Sequence, residues 1–505
     1  MTPAATLDRR RFLAALGAVA GSVAIANPVR ASAATQSTSS KGGGARSALD
    51  PYALARRLSY GPDAALLAVA GRGLDAYLDD QLNPSKTENP ALRDLLDALS
   101  DLESDLPADT SATSRGQRRR FALGATTTQS LARAAFSTRQ LHAVLADVLS
   151  DQLHVAIPGD PHVLFVPAYD REVVDAHALA RFDVALAAAA RHPAMLLYLD
   201  QANSRADGKH VPNENYAREL LELHTVGRSA GYSEGEEQAA AHVLPGWTLT
   251  KRAQGVKQTF RFDPSRHDLG PASTQTILGW KANDAGEADG AALLAHLAQH
   301  PRTAQRVSAR VARRLIDDTL PDGESTVAAI ARAYSVNNTS LAATAEAAIR
   351  HPAFARSLST NARARRPLDA VVAVLRAGAA TVAPSDVARF ATTWYRLLGS
   401  IDAIPYGWPA PDGYPEPDAA YTSPGAIIAR WNVVSAVVMT TTVPGLTLTW
   451  PDSVESIGEA LLGTRVPAEL SRVVAKEVGR SDNLSPDRRA LAAALYAASP
   501  QFQLR

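Results

Sequence analysis

The chain contains no cysteine among its 505 residues, and this absence removes several classes of chemistry. Without thiols there is no disulfide, no thiolate metal site and no cysteine nucleophile. The sequence also lacks an excess of charge of one sign, because 52 basic residues face 51 acidic ones and the formal net charge is +1. No strong field therefore points to nucleic acid or to an anionic membrane surface as a partner.

What the chain does contain is ample apolar material for a core. Hydrophobic residues make up 46% of the sequence and charged residues 20%, which is ordinary for a globular protein. This composition excludes the collagen-like, coiled-coil and wholly disordered classes. The length alone favours about three domains, as a starting estimate.

Residues 1–33 have the form of an export signal. The string RRRFL at 9–13 opens a modest apolar stretch that ends near Ile25, and Ala-Ser-Ala at 31–33 resembles a cleavage site. The stretch is shorter than the roughly 20 residues of a membrane span. Paired arginines before Phe-Leu resemble a twin-arginine signal, so we predict an exported protein, extracellular or in the cell envelope. A generic secretory signal and an uncleaved anchor are the alternatives.

The rest of the chain is organised as one long helical region behind a linker. Residues 34–47 are rich in Ser, Gly and Thr and predict a flexible linker, and 48–505 is mainly α-helical by pattern. No later stretch has about 18 uninterrupted apolar residues, so we expect no transmembrane span in the mature chain. Residues 105–124 read as an exposed loop with a basic centre.

Two stretches depart from the helical pattern. Residues 245–280 contain WTLT and TFRF between turn-forming clusters, which predicts a small β insert. Residues 404–425 hold six prolines and are predicted to form a long loop without regular structure; we call them the long loop.

Three histidines precede proline at the end of Ala-rich runs: His192, His300 and His351. Proline suits the first position of a helix and disfavours helix in the residue before it. We therefore predict that these histidines mark junctions between helices. Their irregular spacing argues against a regular solenoid repeat.

The segment PNENYARELLELHTVG, at 212–227, is the most informative part of the sequence. Asn213 is a candidate N-cap, Glu214 suits the positive end of a helix, and Gly227 is a candidate C-terminal stop. The pattern predicts one helix, in which Tyr216 and three leucines cover about half of the circumference. Central packing is expected for such a helix.

Four polar side chains share one arc of this helix at about 100° per residue: Asn215, Arg218, Glu219 and Glu222. Arg218 and Glu222 are four apart and can pair. Two interpretations stay open, a structural hydrogen-bond network or a site. In a site, Glu219 and Glu222 would bind a metal or divide acid and base roles, with Arg218 and Asn215 as positioning groups. The spacing matches no standard metalloenzyme signature, so the metal, if there is one, is unknown.

Other candidates lie outside this segment. His267 and Asp268 follow a predicted strand and suit either a metal or acid–base role or a capped turn. Trp247 is a candidate binding residue or a packing residue. In the long loop, aromatic side chains suit either stacking on sugar rings, covering a cleft or anchoring the loop. These are Tyr406, Trp408, Tyr414 and Tyr421.

NENYARELLELHTVG, followed by GYS and PGWT, resembles the hallmark of a large bacterial family, the domain-of-unknown-function family numbered 1800. RARRPLDAVVAVLRA, PYGWPAPDGYP and the final ASPQFQLR resemble further segments of that family, so the similarity covers nearly the whole mature chain. The resemblance implies a mainly helical, exported bacterial protein without an assigned reaction, and it favours one elaborated domain over three. It also implies an envelope protein partner from the unknown-function family numbered 1501, which resembles sulfatases and phosphatases.

The sequence departs from the family pattern at three places. Ser150 to Leu153 stand where aromatic residues and an Asn are usual, Pro245 replaces a Thr, and Gln275 replaces a common Lys. The resemblance therefore leaves the activity of this chain open.

These observations favour an exported enzyme, hydrolytic or metal-assisted, that acts on an envelope or extracellular polymer. The alternative is a non-catalytic envelope scaffold that binds a protein partner or a glycan through the long loop.

Overall fold

The computed structural model of the protein describes residues 49–505 apart from 84, 105, 107–110, 207–208, 252–256, 361, 440–442 and 480–481. The predicted export signal (1–33) and linker (34–47) lie outside the described residues and stay predictions. In the described part the chain is mainly α-helical with two small antiparallel sheets, which confirms the predicted fold class. No helix among these residues is both long and apolar enough to cross a bilayer.

The first half of the chain contains α1 (Pro51–Arg57), α2 (Ala64–Ala70), α3 (Leu74–Gln81), α4 (Pro90–Ser104), α5 (Ala112–Phe136), α6 (Gln140–Gln152), α7 (Val166–Tyr169), α8 (Phe182–Arg191), α9 (Pro193–Tyr198), α10 (Asn215–Glu219) and α11 (Glu234–Val243). The second half contains α12 (Glu287–Gln299), α13 (Pro301–Leu315), α14 (Ser325–Val336), α15 (Leu341–Arg350), α16 (Pro352–Thr360), α17 (Pro367–Ala377), α18 (Val387–Gly399), α19 (Pro424–Val438), α20 (Val454–Leu462), α21 (Ala468–Val478) and α22 (Pro486–Ala497). Two π-helical turns, Asp170–Asp175 and Leu220–His224, interrupt the regular helices.

The three His-Pro junctions have a common structure, which confirms their prediction. His192, His300 and His351 each separate two helices, and the ring Nδ1 of each accepts a hydrogen bond from the amide two residues further on. The three distances are 3.1, 3.2 and 3.2 Å. The imidazole therefore satisfies one of the amides that a helix start leaves unpaired, as an Asn or Ser cap does.

The prediction of a loop over 105–124 is wrong from residue 111 onward. Helix α5 begins at Ala112, and the Ser111 hydroxyl accepts a hydrogen bond from the Ser114 amide at 3.1 Å. This N-cap, followed by strong helix formers, outweighs the single Gly116 in the first turns.

The two sheets are minimal. Strands β1 (Trp247–Leu249) and β2 (Phe260–Phe262) pair antiparallel and confirm the predicted β insert. A second pair, β3 (Thr381–Val382) and β4 (Leu446–Thr447), was not predicted, because two residues are too few to show an alternating pattern. The long loop contains one 3₁₀ turn, Asp418–Tyr421, and lacks other helix and strand as far as Ser423, as predicted, while its last two residues begin α19.

Two clusters of buried apolar side chains form the interior, and α6 contributes to both. Leu141 and Val144 belong to the first cluster, which also holds α17 to α22, while Ala146 and Leu149 belong to the second, which holds α8 to α12. Because α6 lies between the two clusters, most of its residues are buried, including the polar Asp151 and Gln152. Polar groups on such a helix need partners.

Candidate functional site

The 212–227 segment is a short α-helix that continues as a π-helical turn. Asn213 accepts a hydrogen bond from the Asn215 amide through its side-chain oxygen, at 2.9 Å, so it caps the helix as predicted. After α10 ends at Glu219, the turn from Leu220 to His224 winds more loosely. The prediction of one regular helix is therefore wrong beyond Glu219, and the arc calculated at 100° per residue does not apply there.

The charged residues of the segment pair differently from the predicted pattern. Arg218 lies 2.9 Å from Glu237 and 3.7 Å from Glu214, whereas Glu222 pairs with Arg228 at 2.7 Å. The predicted Arg218–Glu222 pair does not form, because each of the two side chains is engaged by another partner.

Glu219 differs from the other carboxylates of this segment in its lack of a bonding partner within the described residues. It is half-buried and makes no hydrogen bond or ion pair within the described residues. Burial raises its pKa, and the negative charges of Glu222 and Asp412 raise it further. Asn215 is occupied by a long bond from its side-chain nitrogen to the Leu199 oxygen, at 3.4 Å. The structure thus keeps Glu219 and Glu222 near each other, but it gives Arg218 and Asn215 other partners.

His267 and Asp268 line a different, open depression, together with Lys281. The His267 Nδ1 atom lies 3.0 Å from the Pro245 oxygen, and Asp268 accepts a bond from the Gly270 amide at 2.9 Å. Neither Glu219 nor Glu222 lines this depression. Among the described residues, no three His, Asp or Glu side chains are grouped so that they could hold one metal ion.

The predicted aromatic binding residues have separate places. Trp247 is fully buried, 5.3 Å from the ring of Phe260 and 4.5 Å from the Arg191 guanidinium, and therefore packs in the interior. Trp408 and Tyr414 lie 5.7 Å apart in the long loop. Tyr414 lines a cavity, whereas Trp408 does not.

This cavity has a volume of about 50 Å³ and opens to solvent where α5, α6, the start of α17 and the long loop meet. We call it the Asp147 cavity. Its charged lining residues are Arg133, Asp147, Asp151, Arg366, Asp369 and Asp402. Four tyrosines complete most of its wall: Tyr60, Tyr406, Tyr414 and Tyr421. A concave pocket with converging polar groups and perturbed carboxyl groups is the expected form of a binding or active site.

The pKa values of two carboxyl groups in the cavity are shifted in opposite directions. Burial raises the pKa of Asp147, and the charges of Asp151 and Asp369 add to this effect, while Arg314 opposes it. The Asp147 carboxyl group lies 3.4 Å from Arg314 and 3.5 Å from Arg366, and it accepts no hydrogen bond within the described residues. It is therefore held protonated to higher pH than an ordinary aspartic acid.

Asp369 is held ionised. Burial opposes its charge, but Arg314 bonds both of its oxygens, at 3.1 and 3.2 Å, and Arg505 lies 3.2 Å away. These two guanidinium groups keep the pKa of Asp369 well below its usual range. Two neighbouring carboxyl groups whose pKa values are shifted in opposite directions are typical of sites that use acid–base catalysis.

Asp151 fixes the long loop against the end of α6. Its carboxylate accepts a bond from the Tyr414 amide at 2.9 Å and pairs with Arg366 at 3.3 Å. Gly413, which precedes Tyr414, has φ +76°. A Cβ atom there would lie 2.5 Å from the backbone oxygen of Asp151. Only glycine fits this close approach without strain.

The 212–227 segment contacts the cavity helix through Gln152. The side-chain nitrogen of Gln152 donates to the backbone oxygens of Leu223, at 3.0 Å, and His224, at 2.9 Å. Two residues further on, the His154 Nε2 atom lies 2.9 Å from the Trp408 oxygen in the long loop. The segment thus supports the wall of the Asp147 cavity without lining it.

Some of the positions predicted to depart from the resembled family pattern make these contacts. Ser150 and Asp151 line the cavity, and Gln152 makes the bridge to the 212–227 segment. Pro245 supplies the oxygen that faces His267, and Gln275 packs under Gly235. Ser150 to Gln152 therefore contribute to the lining and support of the cavity itself.

The site residues predicted from the sequence do not include Asp147, Asp369, Arg366 or Asp402. A signal for Asp147 was present, since Asp147 and Asp151 are four apart in the mainly apolar α6 and thus share a face. The same spacing of charged residues on one helix face that pointed to 212–227 therefore also points to this pair. Arg366, Asp369 and Asp402 gave no such signal.

Comparison with protein families gives one match. The model of a family described as "Protein of unknown function (DUF1800)" matches residues 53–504, a range that contains the 212–227 segment and all residues that line the Asp147 cavity. No curated protein and no solved structure matches the chain. Because the match covers most of the sequence, the chain belongs to the DUF1800 family.

Proposed function

We propose that the protein is an exported hydrolase that cleaves an envelope or extracellular polymer in the Asp147 cavity. One observation carries the proposal: a single cavity holds the partly buried carboxyl group of Asp147, whose pKa is raised, and the exposed carboxylate of Asp402. The two carboxyl groups supply an acid and a base in different environments.

Hydrolysis needs a proton for the leaving oxygen and an acceptor for a proton of the attacking water. Asp147 donates its proton to the leaving oxygen as the bond to that oxygen breaks. Asp402 takes a proton from water, whose oxygen forms the new bond to the same carbon. One proton is given and one is taken, so transfer from Asp402 to Asp147 through solvent restores the starting state. Asp369 keeps its charge throughout, because Arg314 and Arg505 neutralise it.

The tyrosines of the cavity favour a carbohydrate as the polymer. Tyr406 donates its hydroxyl to Asp170 at 2.9 Å, Tyr414 to the Ile404 oxygen at 2.7 Å, and Tyr421 to the Pro415 oxygen at 2.6 Å. Their rings are therefore fixed in place before a ligand binds. Rigid aromatic faces beside carboxyl groups suit the apolar face and hydroxyl groups of a sugar ring.

The second candidate is a non-catalytic scaffold that binds a glycan or a protein, such as a member of the family numbered 1501. The aromatic side chains of the long loop are better placed to form a cavity wall than an exposed docking surface, so they give this scaffold little support. Tyr406 is buried, and Trp408 donates its indole nitrogen to Asp412 within the same loop, at 3.0 Å. If the protein is a scaffold, the geometry favours one that binds a glycan in the Asp147 cavity without cleaving it.

Export through a twin-arginine signal is part of the proposal and rests on the RRRFL string at 9–13. Catalysis by Glu219 and Glu222, or by His267 and Asp268, is the competing assignment of the active groups. It has the disadvantage that these residues do not line the Asp147 cavity.

The proposal is tested with the purified full mature chain and a panel of soluble polysaccharides, with release of reducing ends as the readout. We expect Asp147→Asn and Asp402→Asn each to lower the rate at least a hundredfold while the thermal midpoint stays within a few degrees. Asp79→Asn is the matched control, because Asp79 is exposed on α3 and lines neither this cavity nor the depression at His267. Saturable glycan binding without product, equal in wild type and Asp147→Asn, would establish the scaffold instead.

A further inference from the structure

A second cavity, of about 490 Å³, shares the side chain of Arg133 with the Asp147 cavity. It lies between α4, the end of α5, the start of α6 and the π turn Asp170–Asp175. We call it the Arg139 cavity. Because Arg133 lines both cavities, a ligand that fills one of them reaches close to the other.

Positive charge exceeds negative charge in the lining of the Arg139 cavity. Four arginines and three carboxylates line it, which gives 4 − 3 = +1 with its histidine, His142, neutral. Burial lowers the pKa of His142, so the neutral form is the relevant one near neutral pH.

Two of the three carboxylates are already occupied by protein groups. Arg133 bonds both oxygens of Asp170, at 2.9 and 3.0 Å. Glu88 accepts hydrogen bonds from the Ser137 hydroxyl at 2.9 Å and the Thr138 amide at 3.0 Å. The third, Asp175, lies 3.4 Å from Arg133 and 3.8 Å from His142. Within the described residues, none of the three carboxylates forms an ion pair with Arg93 or Arg139.

Two of the remaining arginines, Arg93 and Arg139, have spare donors. Arg93 is exposed, and neither it nor Arg139 has an ion pair within the described residues. The Nε atom of Arg139 is buried without a hydrogen-bond partner there. Arg171 is already engaged, because it lies 3.8 Å from Glu103 and donates to the Gln129 side-chain oxygen at 2.8 Å. A buried donor without a partner is costly, and a bound acceptor removes this cost.

We propose that the Arg139 cavity binds an anionic group, a phosphate or a carboxylate, through Arg93 and Arg139. Guanidinium groups bind both anions through paired N–H donors, so the chemistry is shared. Resting on the proposed function, this inference makes the polymer an acidic one, whose charged group occupies the Arg139 cavity while the neighbouring unit reaches the Asp147 cavity.

Calorimetric titration of the full mature chain at low salt tests the anion site. The probes are inorganic phosphate, galacturonate and, as the neutral counterpart, galactose. We expect saturable binding of at least one anion, no binding of galactose in this range, and weaker binding as NaCl screens the charges. Phosphate binding alone indicates a phosphate-bearing polymer, and galacturonate binding alone indicates an acidic sugar.

Arg93→Glu should weaken anion binding at least tenfold, and so should Arg93→Gln combined with Arg139→Gln. Arg93 is exposed, so its replacement leaves the fold intact and keeps the test valid if the double variant is unstable. Arg389→Gln is the matched control, since this side chain is 77% exposed and lines neither cavity. No saturable anion binding by wild type, or unchanged binding by Arg93→Glu, overturns the anion site.

The two proposals fail separately. Asp147→Asn should bind the anion as wild type does. Cleavage of a neutral polymer without anion binding would overturn the anion site and support the proposed function. Anion binding that depends on Arg93, with no cleavage of any polymer, would support the anion site and overturn the proposed hydrolase.

Discussion

The side-chain nitrogen of Gln152 lies 2.9 Å from the backbone oxygen of His224, and this contact joins the 212–227 segment to the helix that carries Asp147. The same nitrogen donates to the Leu223 oxygen. Carbonyl groups at the end of a helix lack partners within it, and Gln152 supplies one here for two of them. The contact gives the segment a role in positioning the end of α6.

We predict that Gln152→Met destabilises the protein by about 2 kcal/mol, because two buried carbonyl groups lose their donor. Urea unfolding measures the change, and Gln238→Met, at an exposed position of α11, is the control. If both variants unfold at the wild-type urea concentration, water replaces the amide and the contact is not a structural anchor.

The pair of Arg314 and Asp369 gives a second prediction. Asp369→Asn leaves Arg314 and Arg505 buried without their shared counter-charge, so we expect a loss of about 3–5 kcal/mol in the free energy of unfolding. The exposed Asp94→Asn on α4 should change it by less than about 0.5 kcal/mol. Equal stability of the two variants would show that Asp147 takes over as the counter-ion.

Buried histidines make the protein sensitive to acid. Burial, together with the smaller effect of the nearby Arg171 charge, lowers the pKa of His192 to about 4, whereas an unfolded histidine titrates near 6.5. Since the unfolded state binds more protons between these values, the stability contributed by His192 is complete above pH 6.5 and is lost as the pH falls toward 4. At pH 5 the loss is roughly 2 kcal/mol for this group alone.

His192→Asn should reduce this pH dependence, because Asn keeps a cap acceptor for the Ala194 amide and does not titrate. Thermal midpoints of wild type and variant at pH 7 and pH 5 measure the effect. His177→Asn, at a partly exposed position, should leave the dependence unchanged. A wild-type midpoint that does not fall between pH 7 and pH 5 contradicts the prediction.

The features that the sequence predicted correctly are local. A histidine before proline determines the start of the next helix through its own ring and the proline ring, so His192, His300 and His351 could be placed without tertiary information. The same holds for the cap at Asn213 and for the β insert, where the strands are close in sequence.

The features that it did not predict depend on distant parts of the chain. The Asp147 cavity joins Asp147, Asp402 and the start of α17, which only tertiary packing brings together. The π turn after Glu219 is similarly invisible in a helical wheel, because the wheel assumes a constant angle per residue. An exposed carboxylate such as Asp402 carries no pattern at all.

Export gives a prediction outside the described residues. Replacing Arg9, Arg10 and Arg11 by Lys should abolish export from a bacterial host with a twin-arginine translocase, because that pathway reads the arginine pair. Immunoblots of exported and cytoplasmic fractions measure the effect, and Arg30→Lys in the same segment should be exported normally. Export of the triple variant at the wild-type level would favour a generic secretory signal.

The last prediction separates the two assignments of the catalytic groups. Glu222 pairs with Arg228, whose side chain is 73% exposed, so Glu222→Gln should lower stability by less than about 1 kcal/mol. Since neither Glu222 nor Glu219 lines the Asp147 cavity, we expect Glu222→Gln and Glu219→Gln to retain hydrolysis within about threefold of wild type. Glu219→Gln also relieves the repulsion from Glu222 and Asp412, so at neutral pH it should not destabilise the protein.

Initial rates on the polysaccharide cleaved by wild type measure these effects, with Glu234→Gln at the exposed start of α11 as the control. A fall of more than tenfold in either variant, with an unchanged thermal midpoint, would place catalysis at the 212–227 segment. In that case Asp147→Asn should remain active, because the Asp147 cavity would then serve only to bind.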